Sequence, residues 1–168
     1  QLVSIEKNLI DKIWNKKKDE NNQKFYSLPE NAVGENYKKK LNRLIGILNK
    51  KKIDLHFITA SENVAWLLNI RGKDSGFTPI PNSYLVIDSR KKITLFCDLN
   101  KIDVPFQKKF KSIKIIDIKN TDIFLSKIKD NKIMLDSSSC SVYFENILNK
   151  NNKIVEFFDP IYFLKSIK

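Results

Sequence analysis

Apolar residues recur along the chain at two spacings, one helical and one extended. In residues 6–14 (EKNLIDKIW), Leu9, Ile10, Ile13 and Trp14 fall at helical intervals and predict a short amphipathic helix. Residues 15–34 are polar and interrupted by Pro29 and Gly34, which predicts an extended connection. A loop of that length wraps a surface or joins two units. Over residues 35–52, Tyr37, Leu41, Leu44, Ile45 and Leu48 recur every three or four positions. They predict the strongest helix of the chain, with one face for a core and the other rich in lysine. Residues 53–59 (IDLHFIT) read as a buried strand, and Ser61 is placed as the N-cap of a helix over 62–69.

Residues 71–82 (RGKDSGFTPIPN) hold two of the four glycines and two of the five prolines, hence an irregular loop. The runs 83–88 and 92–97, separated by SRK, have the pattern of a β-hairpin. A helical turn over 106–111 follows, then a strand over 113–118 and a helix over 122–128. Next come a strand over 133–136, a helix over 141–148, a strand over 154–157 and a helix over 160–168. This alternation predicts an α/β sandwich whose helices cover a largely buried sheet. No repeat with a period of 20 to 50 residues is visible.

Composition narrows the picture. The 168 residues suit one ordinary domain, and 42% hydrophobic with 11% aromatic residues excludes disorder. No run of about 18 apolar residues predicts a membrane span. No charged stretch leading into an apolar one opens the chain, and two cysteines make no disulfide framework, so a reducing, cytoplasmic setting is expected. The formal net charge is +12, yet 28 of the 31 basic residues are lysine, only Arg43, Arg71 and Arg90 being arginine. Arginine reads phosphates and bases bidentately, and the lysines run the whole length of the chain beside 18 asparagines and 23 isoleucines. Solvated lysine from compositional drift is the expectation. A basic nucleic-acid-binding α/β module is the alternative.

Catalytic motifs are absent. Gly72-Lys73-Asp74-Ser75-Gly76 misplaces the serine for a nucleophile elbow and puts Asp74 where a phosphate-binding loop needs Ser or Thr. Cys97 and His56, the single histidine, lie on core strands, as a buried thiol and a satisfied imidazole would. Asp88, Asp98, Asp117 and Asp136 stand at strand ends, where capping the next turn is expected ahead of holding Mg²⁺. The distinctive stretch is AWLLNIRGKD over residues 65–74. Trp66 rides a short apolar helix, and Arg71-Gly72 leaves it. Two readings stand equal: a guanidinium fork aimed at a carboxylate or carbonyl beyond the surface, or a cation facing its own helix C-terminus with Gly72 as the left-handed residue after the cap.

SENVAWLLNIRGKD over residues 61–74 resembles the "SLDEIAWLLNLRGSD" stretch of the cytosolic aminopeptidase P family, the Xaa-Pro aminopeptidases. NLIDKIW over 8–14 is similar to that family's "NLVDxIW", GENYKKKLNRL over 34–44 to its "G-x-S-x-x-x-K-L-x-x-L" helix, and PIYFLKSIK over 160–168 to its "PxxxLKAIKN" helix. Thr78-Pro79 stands where the family has Asn-Pro, and Pro81-Asn82-Ser83-Tyr84 follows, so the loop shape departs from the pattern.

The resemblance implies the middle, creatinase/prolidase N-terminal-type domain of a three-domain enzyme. The implied fold is a three-layer α/β/α sandwich around a mixed, roughly six-stranded sheet, creatinase N-terminal-domain-like with ribonuclease H-like topology. Residues 1–34 would be a leading helix and extended connection, and 35–168 the domain body. It further implies a parent hydrolase that removes the N-terminal residue before a penultimate proline, using two divalent ions (Mn or Zn) held in a C-terminal catalytic domain. This chain would carry no catalytic residue and no metal, and would cover the active site and shape the substrate entrance. Arg71, Trp66 and Asp74 are the expected substrate-facing or interdomain residues. The implied partners are the catalytic domain, the peptide substrate and a second copy in a homodimer, with neither membrane nor nucleic acid.

Overall fold

The computed structural model describes residues 9–13 and 23–167. Within the first expected helix it shows α1, Leu9–Ile13. Trp14, the rest of that helix, residues 15–22 of the expected connection and Lys168 lie outside the described residues.

The body begins at β1 (Tyr26–Ser27) and proceeds to α2 (Tyr37–Lys50). Asn36 starts α2 by accepting the Lys38 N–H on its side chain (2.9 Å), which satisfies one of the donors a helix N-terminus leaves free. Tyr37, Leu41, Leu44, Ile45 and Leu48 are buried, as their spacing requires, and Lys40 is buried with them. Next come β2 (Leu55–Ile58), α3 (Ser61–Leu68) and β3 (Ile70–Arg71). Ser61 is not the N-cap of α3. That position belongs to Ala60, which makes no side-chain cap, while the Ser61 hydroxyl donates to Ser83 O (3.1 Å) and ties the helix start to the next strand. The remaining elements are β4 (Ser83–Asp88), β5 (Ile93–Cys97), α4 (Val104–Lys109), β6 (Lys114–Asp117), α5 (Thr121–Leu125), β7 (Lys132–Leu135), α6 (Val142–Asn149), β8 (Lys153–Glu156) and α7 (Pro160–Ser166).

Six strands form one mixed sheet in the order β6-β5-β4-β2-β7-β8. β4 runs antiparallel to β2 and β5, and the pairs β5–β6, β2–β7 and β7–β8 are parallel. Alternate strand residues enter two cores. Ile58, Leu85, Ile87, Leu95, Cys97 and Met134 pack with α2, α3, α4 and α7 on one face. Phe57, Val86, Phe96, Ile133 and Leu135 pack with α5 and α6 on the other. This is the expected three-layer sandwich with helices on both sides.

A two-stranded ribbon, β1 with β3, stands apart from the sheet. Its antiparallel register sets Tyr26 against Arg71 and Ser27 against Ile70. Phe25 beside it is 2% exposed and donates its N–H to Lys101 O (2.8 Å), so part of the segment expected as an extended connection is stitched into the body.

Candidate functional site

The left-handed residue at the end of α3 is Asn69 (φ 56°), and no glycine has positive φ. Asparagine tolerates that conformation because its short amide finds local partners. Here Nδ2 donates to Glu35 O (2.9 Å), and Oδ1 accepts from Lys40 Nζ (2.6 Å). Gly72 is needed for a different reason: a Cβ there would stand 2.9 Å from Pro81 Cα and Cβ and 3.2 Å from the Phe25 ring.

Turned by Asn69, Arg71 folds back on the helix it has left. Its Nη1 donates to Ile70 O (2.8 Å) and Ala65 O (3.3 Å), so the guanidinium caps the last turn of α3, where a cation meets the negative end of the dipole. Asp74 forms an ion pair with Lys101 and accepts the Asn82 N–H (2.5 Å), closing the loop 72–82 across its base. The Gly72 N–H donates to Pro79 O (3.1 Å) inside the same loop. At its tip Phe77 is 100% exposed. The sequence carries only a slight signal for Phe77, an aromatic between Gly76 and Thr78-Pro79 and the only phenylalanine of the loop.

Trp66 points elsewhere. It lines a cleft of about 600 Å³ between α2, α3 and α7 with Glu35, Lys40, Arg43, Leu164 and Lys165. Lys40 Nζ lies 4.1 Å from the indole centroid and donates to Trp66 O (2.9 Å). Burial lowers the Lys40 ammonium to a pKa of about 8; Glu35 opposes the shift, and Arg71 and Arg43 add to it. Asp74 lines a separate cleft with Asn82, Asp98, Lys101 and Asp117. The three expected residues therefore share one stretch of chain but converge on no single pocket.

A buried polar chain joins β2, α3 and α7. His56 Nδ1 is 3.1 Å from Met134 O, and Nε2 is 3.2 Å from Asp159 Oδ1. Asp159 accepts from Asn63 Nδ2 (2.7 Å) and Ile161 N (2.9 Å), and Lys165 Nζ donates to Asn63 Oδ1 (2.7 Å). Burial pushes the Asp159 carboxyl up, but His56, the Ile161 N–H and Asn63 outweigh it and hold the group below its ordinary range. His56 thus fills a structural role and makes no pair with Cys97, whose thiol burial pushes up to about 12. Cys140 is raised to about 11 for the same first reason.

The strand-end aspartates cap turns. Asp88 accepts from Arg90 and Lys92 N (both 2.8 Å), Asp98 from Asn100 N (2.9 Å), Asp117 from Lys119 N (2.9 Å) and Asp136 from Ser138 N (3.0 Å). Among the described residues no three His, Cys, Asp or Glu stand together to hold a metal ion. With the one imidazole engaged at both nitrogens, these residues do not fit the two divalent ions that the resemblance implies, so no step through a metal is derived for this chain. Among the described residues no helix is long and apolar enough to cross a membrane.

The sequence matches the creatinase/prolidase N-terminal domain over residues 16–168. It is 32% identical to the Xaa-Pro aminopeptidase ApepP of Drosophila melanogaster over 100% of this chain and 28% of the relative. It is also 32% identical to Xaa-Pro aminopeptidase 1 of Dictyostelium discoideum, over 96% of this chain and 27% of that protein. The chain thus spans a little over a quarter of the length of the curated relatives it matches. The crystal structure of X-prolyl aminopeptidase from Caenorhabditis elegans, described as a cytosolic enzyme with a di-nuclear active site, superposes with a TM-score of 0.80 at 25% identity. The match covers 93% of this chain and 27% of that one. An N-terminal creatinase/prolidase-like domain from Corynebacterium diphtheriae shares the fold at TM-score 0.55 and 20% identity, over 72% of this chain and 95% of that one. The protein belongs to the creatinase/prolidase N-terminal domain family, in the form that Xaa-Pro aminopeptidases carry.

Proposed function

We propose that this chain is the non-catalytic domain of a cytoplasmic metallo-aminopeptidase that removes the N-terminal residue from peptides with a penultimate proline. It covers the active site of a C-terminal catalytic domain, shapes the substrate entrance and contributes to contacts within a homodimer. Residues 35–168 form its α/β body, to which Phe25 and the β1 strand of the leading segment are joined. The two divalent ions, Mn or Zn, and the water they activate belong to the catalytic domain. The carrying observation is the loop 72–82: its base is pinned by the Asp74–Lys101 ion pair and the Asn82 N–H, while Phe77 at its tip is 100% exposed. A loop tied at its base that presents an aromatic at its tip is suited to meet another surface. Asp74 anchors the loop, Arg71 caps the helix from which it departs, and Trp66 faces the separate cleft between α2, α3 and α7.

The test has two parts. The purified chain, given Xaa-Pro peptides and Mn²⁺, is expected to show no turnover; measurable hydrolysis would sink the reading. In the complete enzyme, Phe77→Ala is expected to raise KM for tripeptides and longer substrates by about three- to tenfold while kcat holds, the signature of lost uniform binding. Unchanged kinetics at every peptide length would remove the loop from the substrate entrance.

A further inference from the structure

The face of the sheet covered by α5 and α6 is covered incompletely. Both helices are short, Thr121–Leu125 and Val142–Asn149, and they leave the hairpin end of four strands open. The result is a cleft of about 450 Å³, within the range of small-molecule sites. Its floor is Leu55, Val86 and Thr94, contributed by β2, β4 and β5, and its roof is Phe124 and Ile128. Around this apolar interior stand Lys91, Lys92 and Lys114. Thr94 and Lys114 are register partners on neighbouring parallel strands, which sets the Lys114 ammonium over the same face, 5.9 Å from the Phe124 ring centroid. The Asp88 carboxylate at the rim is turned to its own hairpin, accepting the Arg90 and Lys92 N–H groups. Among the described residues, none of these three lysines has a carboxylate within ion-pair distance. Three lysines against the one Asp88 carboxylate leave the rim net positive around an apolar hollow, which favours a ligand with complementary parts, an apolar body below and a negative head at the rim.

We infer that this cleft binds a small amphipathic anion, a carboxylate or sulfonate carrying an apolar tail or ring. The body lies on Leu55, Val86 and Phe124, and the head sits between Lys92 and Lys114. The site is on the opposite side of the sheet from Trp66 and α7, so it is independent of the peptidase reading.

Decanoate titrated into the isotope-labelled chain, followed by amide chemical shifts, tests it. The expected result is saturable shifts at Val86, Thr94 and Ile128 below about 1 mM. Lys92→Gln and Lys114→Gln should each weaken binding about threefold and the pair about tenfold, with decyltrimethylammonium failing to bind. Both lysines are exposed, so the variants are expected to fold; should either not, the salt dependence of decanoate binding to the wild-type chain gives the same answer, because screening weakens a head held by surface cations. Equal affinity for decan-1-ol, binding indifferent to salt and to both lysines, shifts elsewhere, or none at all would each overturn the inference.

Discussion

Asp159 is 2% exposed and ties three elements to each other through His56, Asn63 and the first turn of α7. Because its folded pKa lies below the ordinary 3.8, its ionised form contributes stability above about pH 4, and that contribution is lost as pH falls through the lower folded value. Asp159→Asn should flatten the acid limb of the stability curve below pH 4, read by urea unfolding. Asp159→Ala, which strands His56, should cost about 3–5 kcal/mol near neutrality. Lys40 carries the opposite lesson. Its pKa is about 8 folded and about 10.5 unfolded, so the unfolded chain binds more protons between those values and stability should rise with pH across that window. Lys40→Met should abolish the rise, visible as a urea midpoint that no longer climbs between pH 8 and 10. Neither residue was legible as buried. Lys40 sits on the apolar side of α2, but its partner Asn69 is 29 residues away, and His56 meets Asp159 across 103. Spacing along one element carries no trace of a partner supplied by another.

Among the elements, α2, the β4–β5 hairpin and the alternating strands were all readable, because each is long enough for its apolar period to repeat. The β1–β3 ribbon was not: two residues per strand hold no period, and only the fold brings Tyr26 opposite Arg71. The exit of α3 was open for a related reason. Of the two equal readings there, the geometry has the Arg71 cation at its own helix end, but the left-handed residue is Asn69, and Gly72 serves close packing against Pro81. Gly72→Ala should therefore cost about 1–3 kcal/mol through overpacking rather than backbone strain, and should loosen the loop behind Phe77. Thermal unfolding measures the first effect, and amide exchange in residues 73–82 the second.

For the molecule as a whole, the family could be read from the motif over 61–74, but the pockets could not, since they depend on where short helices stop covering a sheet. Phe158, Phe163 and Ile167 are 64%, 66% and 55% exposed around α7, and the chain spans little more than a quarter of its curated relatives. Phe163→Asp should leave unfolding free energy within about 0.5 kcal/mol while reducing the proposed homodimerisation of the complete enzyme in analytical ultracentrifugation. The strand order also has a kinetic consequence. β4, β5 and β6 pair with near neighbours in sequence, but β2 finds β7 only across 78 residues. Closing so long a loop early is entropically costly, so the hairpin side should organise first and β7 with β8 should add afterwards. A truncation in β7 such as Ile133→Val would then speed unfolding and leave refolding nearly untouched, whereas Leu85→Ala in β4 would slow refolding.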